Sequence, residues 1–202
     1  MNRTEGAAPG SDELAILRLI QRWIVYRDTG DWTRLRAIWH DDGAMTAGWR
    51  RGTADEFIAA SKARWDDGRI RAMHQLGAVE VEILGPRAIS QNKVTILMRA
   101  PVEGVLCDVT CQARHLDRWE KRDGLWGLSN REALYDRDRI DAVVPGTVPA
   151  LDPAVLGKFP EPFRHLGYAF LKLGYPIDPD FPAAHTASGD ALLRDWRGWL
   201  HA

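Results

Sequence analysis

The sequence predicts an α+β fold: a curved antiparallel sheet, a cone-like half barrel, with three N-terminal helices packed on its concave face and a helical C-terminal extension. Three observations predict it. Apolar residues near the N-terminus recur at helical spacing, with capping signals between the runs. From about residue 79 the period switches to two, and turn residues separate long alternating runs. Helices grouped before strands point to helices on one face of a curved sheet.

Residues 1–10 are small and polar and read as a flexible N-terminus. Ser11 is a candidate N-cap, with Asp12 and Glu13 in the first turn. Leu14, Leu17, Ile20 and Ile24, flanked by Ile16 and Trp23, form the apolar face of the first helix. Gly30 ends that helix in the left-handed region and Asp31 can cap the next. Leu35, Ile38 and Trp39 give the second helix its buried face, Asp41-Asp42-Gly43 turns, and a short strand is expected at 44–49. Thr53-Ala54-Asp55-Glu56 matches a capping box. It opens a third helix that runs to about Asp67 and buries Phe57, Ile58 and Trp65.

Beyond it, Val79, Val81 and Ile83 alternate with Glu80 and Glu82, and Gly85-Pro86 turns. Val94, Ile96 and Met98 alternate with Lys93, Thr95 and Arg99. After a turn at 101–104 a long strand runs from Val105 to about Glu120. Asp123-Gly124 is a hairpin signal, and a last strand runs from Leu125 to about Tyr135. The expected organisation is thus a domain at 11–142 and an extension at 143–202. Prolines at 145, 149, 153, 160 and 162 interrupt the extension. It should hold two short helices, near 163–173 and 190–200, packed on the core, over a pocket, or against a neighbouring subunit.

Composition narrows the function. A chain of 202 residues with 45% hydrophobic residues can bury a sizeable core. A net charge of −1 speaks against nucleic acid or an anionic membrane as partner. No apolar run approaches a membrane span or a signal core, so a cytoplasmic location is expected. Cys107 and Cys111 would lie about 13 Å apart along a strand, beyond disulfide reach. Nine tryptophans suit a large core or a pocket that grips flat apolar ligands.

The chemistry gathers at few positions. Trp23, Tyr26, Asp28 and Trp32 stand at the end of one helix and the start of the next. His74 lies where the chain enters the sheet; imidazole suits proton transfer near neutral pH. The bland alternatives are a structural histidine and a solvated surface carboxylate. On the long strand, Cys107, Val109, Cys111, Ala113 and His115 share one face. Small side chains there leave room for a cavity, with His115 at its edge or bonded to nearby backbone. Among residues expected to bind substrate are Trp23, Trp32, Met98 and Cys111. No phosphate-cradling glycine loop and no zinc-like spacing of histidines and cysteines is present, so neither cofactor nor metal is expected.

Asp28-Thr29-Gly30-Asp31-Trp32, Met73-His74-Gln75-Leu76 and the closing run Arg118 to Trp126 resemble the SnoaL-like families of the nuclear transport factor/cystatin-like superfamily. The pattern is similar to scytalone dehydratase, hexachlorocyclohexane dehydrochlorinase, bile-acid dehydratase and bacterial γ-formaldehyde lyases, and spans roughly residues 11–142. The resemblance implies a cofactor-independent lyase that eliminates water or formaldehyde from an aromatic or polycyclic small molecule. His74 would be the base and Asp28 its partner. Tyr26 or His115 would donate to a developing oxygen, and Arg131 would stabilise a leaving group. Period two sets Arg131 opposite Trp126 unless a bulge intervenes, leaving open whether Arg131 or Asn130 faces the pocket. An isomerase or cyclase, or a non-catalytic subunit like the small subunit of ring-hydroxylating dioxygenases, are the alternatives. Relatives imply a homo-oligomer, with a trimer favoured.

Overall fold

A computed structural model describes residues 10–202, so the flexible stretch expected at 1–10 lies, but for Gly10, outside the described residues. Six strands form one curved sheet in the order β2-β1-β6-β5-β4-β3. They are β1 (Trp39–Ala47), β2 (Arg50–Thr53), β3 (Arg71–Leu84), β4 (Arg87–Val102), β5 (Val105–Arg122) and β6 (Leu125–Ala142). All neighbours pair antiparallel except β1 and β6, which run parallel, so the sheet is mixed. Alternation reveals a strand but not the direction of a partner some 85 residues away, and the parallel pair was therefore not foreseen. Asp41-Asp42-Gly43, expected as a turn, is an irregular part of β1, where its register on β6 shifts between Trp39 and Ala44.

Helices α1 (Ser11–Thr29), α2 (Trp32–Arg36) and α3 (Ala54–Asp67) precede the long strands. Their ends follow local chemistry. Gly30 closes α1 with φ 73°, and the Asp31 side chain accepts from the Arg34 N–H to open α2. The capping box of α3 forms as expected: Thr53 Oγ1 accepts from Glu56 N–H at 3.2 Å, and Glu56 Oε2 accepts from Thr53 N–H at 2.9 Å. Ser11 does not cap α1, whose N-cap is Gly10. The buried stripe of α1 is Ile16, Ile20, Trp23, Ile24 and Arg27, whereas Leu14 is 47% exposed. The helix is rotated from the expected face, and this rotation turns an arginine inward.

The inner face of β5 carries Cys107, Val109, Cys111, Ala113 and His115 as expected, all buried. On β6 the phase changes twice. Arg118 pairs with Asn130 but Trp119 with Leu128, leaving Ser129 as an extra residue; Asp136 is extra in the same way. Each bulge shifts the alternation by one. Leu128 faces inward before the first bulge, and Arg131, Ala133 and Tyr135 face inward after it. Arg131 rather than Asn130 therefore lies on the inner face.

The remaining residues straddle the sheet. After α4 (Pro153–Leu156) and a single 3-10 turn, α5 (Arg164–Lys172) packs on the inner side and buries Leu166, Tyr168 and Phe170. Asp138 of β6 fixes its start, accepting from the Leu166 N–H at 2.6 Å and meeting His165 Nδ1 at 2.8 Å. Burying Leu166 and Phe170 contributes roughly 1.5–3 kcal/mol each. Helix α6 (Ala187–Leu200) crosses to the outer face, where Trp196 and Leu200 cluster with Ile89, Leu116 and Leu134. Its N-cap is Thr186, whose side chain accepts from the Gly189 N–H.

Candidate functional site

The inner face, α1, α3 and α5 enclose a cavity of about 50 Å³. Trp23, Arg27, Trp49, Phe57, Arg64, His74, His115, Tyr135, Leu166 and Phe170 are among its walls. That space holds a water molecule or two, well short of a ring-bearing ligand. A larger guest therefore needs the walls to move apart. A depression of about 410 Å³ lined by Gln75, Lys93, Thr95 and Gln112 is larger, but it is open and has no paired acid and base.

Asp28 and His74 meet. Asp28 stands in the last turn of α1, and the first residues of β3 bring His74 opposite it. Oδ1 lies 2.6 Å from His74 Nδ1, and Oδ2 accepts the His74 backbone N–H at 2.6 Å. The two side chains are 15% and 10% exposed. One carboxylate thus grips both the ring and the main chain of the same residue, which fixes the ring in orientation. A carboxylate only accepts, so Nδ1 carries a proton, and in the neutral ring Nε2 is the nitrogen with the free lone pair. Nε2 has no hydrogen-bond partner among the described residues.

Trp23 joins the two histidines, with its ring 5.9 Å from that of His74 and 5.2 Å from that of His115, both edge-on. His115 is 4% exposed and its Nδ1 has no partner. Burial holds its pKa well below the usual histidine value, helped by the positive charge of Arg131 and by His74. It is therefore a neutral imidazole. Tyr135 is held protonated by burial, and its hydroxyl accepts the Gly48 N–H at 3.2 Å.

Arg131 sits directly behind Trp23, its guanidinium carbon 4.4 Å from the ring centroid. It makes a two-pronged ion pair with Asp117 at 2.6 and 2.8 Å, and neither side chain is exposed. Ser90 and Asn92 also donate to Asp117. Arg131 thus reads as a support for Trp23 and does not line the cavity. Tyr26, Trp32, Met98 and Cys111 do not line it either. Tyr26 lies under the Arg34 guanidinium, Trp32 packs edge-on to Trp65, and Met98 and Cys111 are buried in the core. Of the expected site residues, the structure gathers Trp23, Asp28, His74 and His115.

Among the walls that had not been anticipated, two are charged. Arg27 and Arg64 are 8% and 7% exposed, and both line the cavity. Burial lowers the pKa of each, that of Arg64 to about 10 with the nearby Arg27 charge adding to the effect. The helical stripes already contained the signal: 16-20-23-27 on α1 and 57-61-64 on α3 each end inward on an arginine. Among the described residues, no three His, Cys, Asp or Glu side chains converge as a metal-ligand group, and no helix is long and apolar enough to cross a membrane.

Residues 10–132 match the SnoaL-like domain family. The chain belongs to that family. This SnoaL-like chain is 32% identical to an uncharacterized protein of Emericella nidulans, over 95% of its own length and 89% of the relative's. It is also 32% identical to pea pathogenicity protein 2 of Fusarium vanettenii, over 95% and 86%. Among solved structures, a type 2 hexachlorocyclohexane dehydrochlorinase superposes with a TM-score of 0.58 at 17% identity, covering 70% of this chain and 96% of the enzyme. That likeness is one of fold.

Proposed function

We propose that this protein is a cofactor-independent lyase in which His74 removes a proton from an apolar, ring-bearing small molecule and a neighbouring group departs. The observation that carries the reading is the 2.6 Å Asp28–His74 contact at the wall of a buried, aromatic cavity. Asp28 holds the tautomer that leaves Nε2 unprotonated and stabilises the imidazolium once it forms. For loss of water, Nε2 takes a carbon-bound proton, the C–H electron pair forms the new double bond, and the C–O bond breaks as the imidazolium returns its proton to the departing hydroxide. For loss of formaldehyde, Nε2 instead takes the proton of a CH2–OH group, the O–H pair forms the C=O bond, and the imidazolium protonates the carbon left by the broken C–C bond. Trp23, Trp49 and Phe57 bind the rings, and α5 excludes water once the guest is inside. A contacting acid and base favours this reading over a non-catalytic subunit, for which no such contact is needed.

The test is turnover of aryl and polycyclic alcohols followed by mass spectrometry. Loss of water or formaldehyde is expected, whereas an isomerase would conserve mass. His74→Ala should lower turnover by about 100-fold or more. An equally active His74→Ala protein would refute the assignment.

A further inference from the structure

The cavity wall holds an excess of positive charge. Arg27 and Arg64 both line it. Neither has a carboxylate within ion-pair distance among the described residues, and Arg64 Nε has no hydrogen-bond partner. Asp28 is the acidic neighbour whose charge Arg27 feels, but both of its oxygens are spent on His74. Asp117 is spent on Arg131. With His115 and Tyr135 neutral, the two arginines outweigh Asp28 by one charge. A buried cation without a counterion costs several kcal/mol.

One alternative is that Arg64 serves only to clamp the tail. Its guanidinium carbon lies 4.2 Å from the ring centroid of Trp49, 4.6 Å from Phe170 and 4.8 Å from Tyr175. These cation–π contacts supply no hydrogen-bond acceptor or counter-charge, and Arg64 Nε is left without a partner. A guanidinium presents its N–H donors in a fork that matches a carboxylate. The same rings offer flat apolar walls beside that fork.

We infer that the ligand of this pocket is an aromatic or polycyclic carboxylic acid, bound as its monoanion with the carboxylate on Arg64 and Arg27 and the rings against Trp49, Phe57 and Phe170. This rests on the reading of the pocket as a substrate site and gives that substrate a charge. A single negative charge balances the wall. A phosphate dianion would overshoot it and costs more to desolvate.

The experiment measures binding, which is independent of turnover. Tryptophan fluorescence and calorimetry at about pH 7 compare 2-naphthoate with 2-naphthamide, and benzoate with benzamide, on the full chain. The acids should bind at least about 30-fold tighter than their amides, the scale of a buried charge pair. Arg64→Met should bring that ratio close to one. Arg27→Met, which faces none of the tail rings, should lower it and serves if Arg64→Met fails to fold.

Equal binding of acid and amide overturns the inference. So does an unchanged ratio in both arginine variants, an equal loss of acid and amide binding in Arg64→Met, or no saturation by any acid up to about 10 mM. An acid preference that survives beside a fully active His74→Ala protein would overturn the base and keep the carboxylate. The reverse pattern would overturn the carboxylate and keep the base.

Discussion

His115 makes stability depend on pH in a direction that can be worked out. It is 4% exposed, edge-on to Trp23, with an unpartnered Nδ1. Burial first, then Arg131 and His74, depresses its pKa in the folded protein. In the unfolded chain it titrates near 6.5. Below that pH the unfolded state binds a proton that the folded state refuses, so stability falls as pH falls. A single proton limits the slope to about 1.4 kcal/mol per pH unit. Between pH ~6.5 and ~5 the loss reaches about 2 kcal/mol. For a chain of this length that lowers Tm by about 4–8 °C. His115→Asn cannot titrate and should lose this component. Thermal melts of both proteins from about pH 8 to pH 5, taken as a difference, cancel every group the two share. Above pH ~7 the difference should be flat, and below it the wild type should fall faster. Parallel curves, or a wild type that gains on the variant in acid, would refute a neutral buried imidazole.

Arg131→Met strands the Asp117 charge and should cost about 3–5 kcal/mol in denaturant unfolding, and adding Asp117→Asn should recover part of it; simply additive penalties would deny the coupling. Gly48→Ala puts a Cβ 2.7 Å from Ile177 and 3.0 Å from Tyr135, so it should destabilise by about 1–3 kcal/mol and speed proteolysis of the tail. Unaltered stability and cleavage would mean the tail yields there freely. Cys107 and Cys111 are fully buried and burial raises both thiol pKa values. Labelling of either thiol should track unfolding, and rapid modification of the native protein would count against that burial.

Signals that act within a few residues were legible in the sequence. The Thr53–Glu56 box, the Gly30 terminus and the Asp123-Gly124 hairpin, with φ of 51° and 80°, all appear where their residue types require. Alternation along β5 placed His115 on the buried face. It failed on β6, because an extra residue at Ser129 carries no compositional mark and yet reverses every side chain between it and the second extra residue, Asp136. Asp28 and His74 were paired through family resemblance; nothing local connects residues 46 apart. Arg27 and Arg64 escaped notice because a charged residue is ordinarily assigned to solvent. Their spacing along the helices spoke otherwise, as did the rotation of α1 that exposes Leu14.

The last third of the chain has a consequence of its own. Its two main helices grip the sheet from opposite sides, one roofing the hollow and the other bracing the back of the same three strands. The family match ends at residue 132, before either helix begins. On the proposed reading, admission of a guest and the handling of its proton would reside in different stretches of polypeptide. On that reading, exchanging tails between relatives would change the guest while leaving Asp28 and His74 in place.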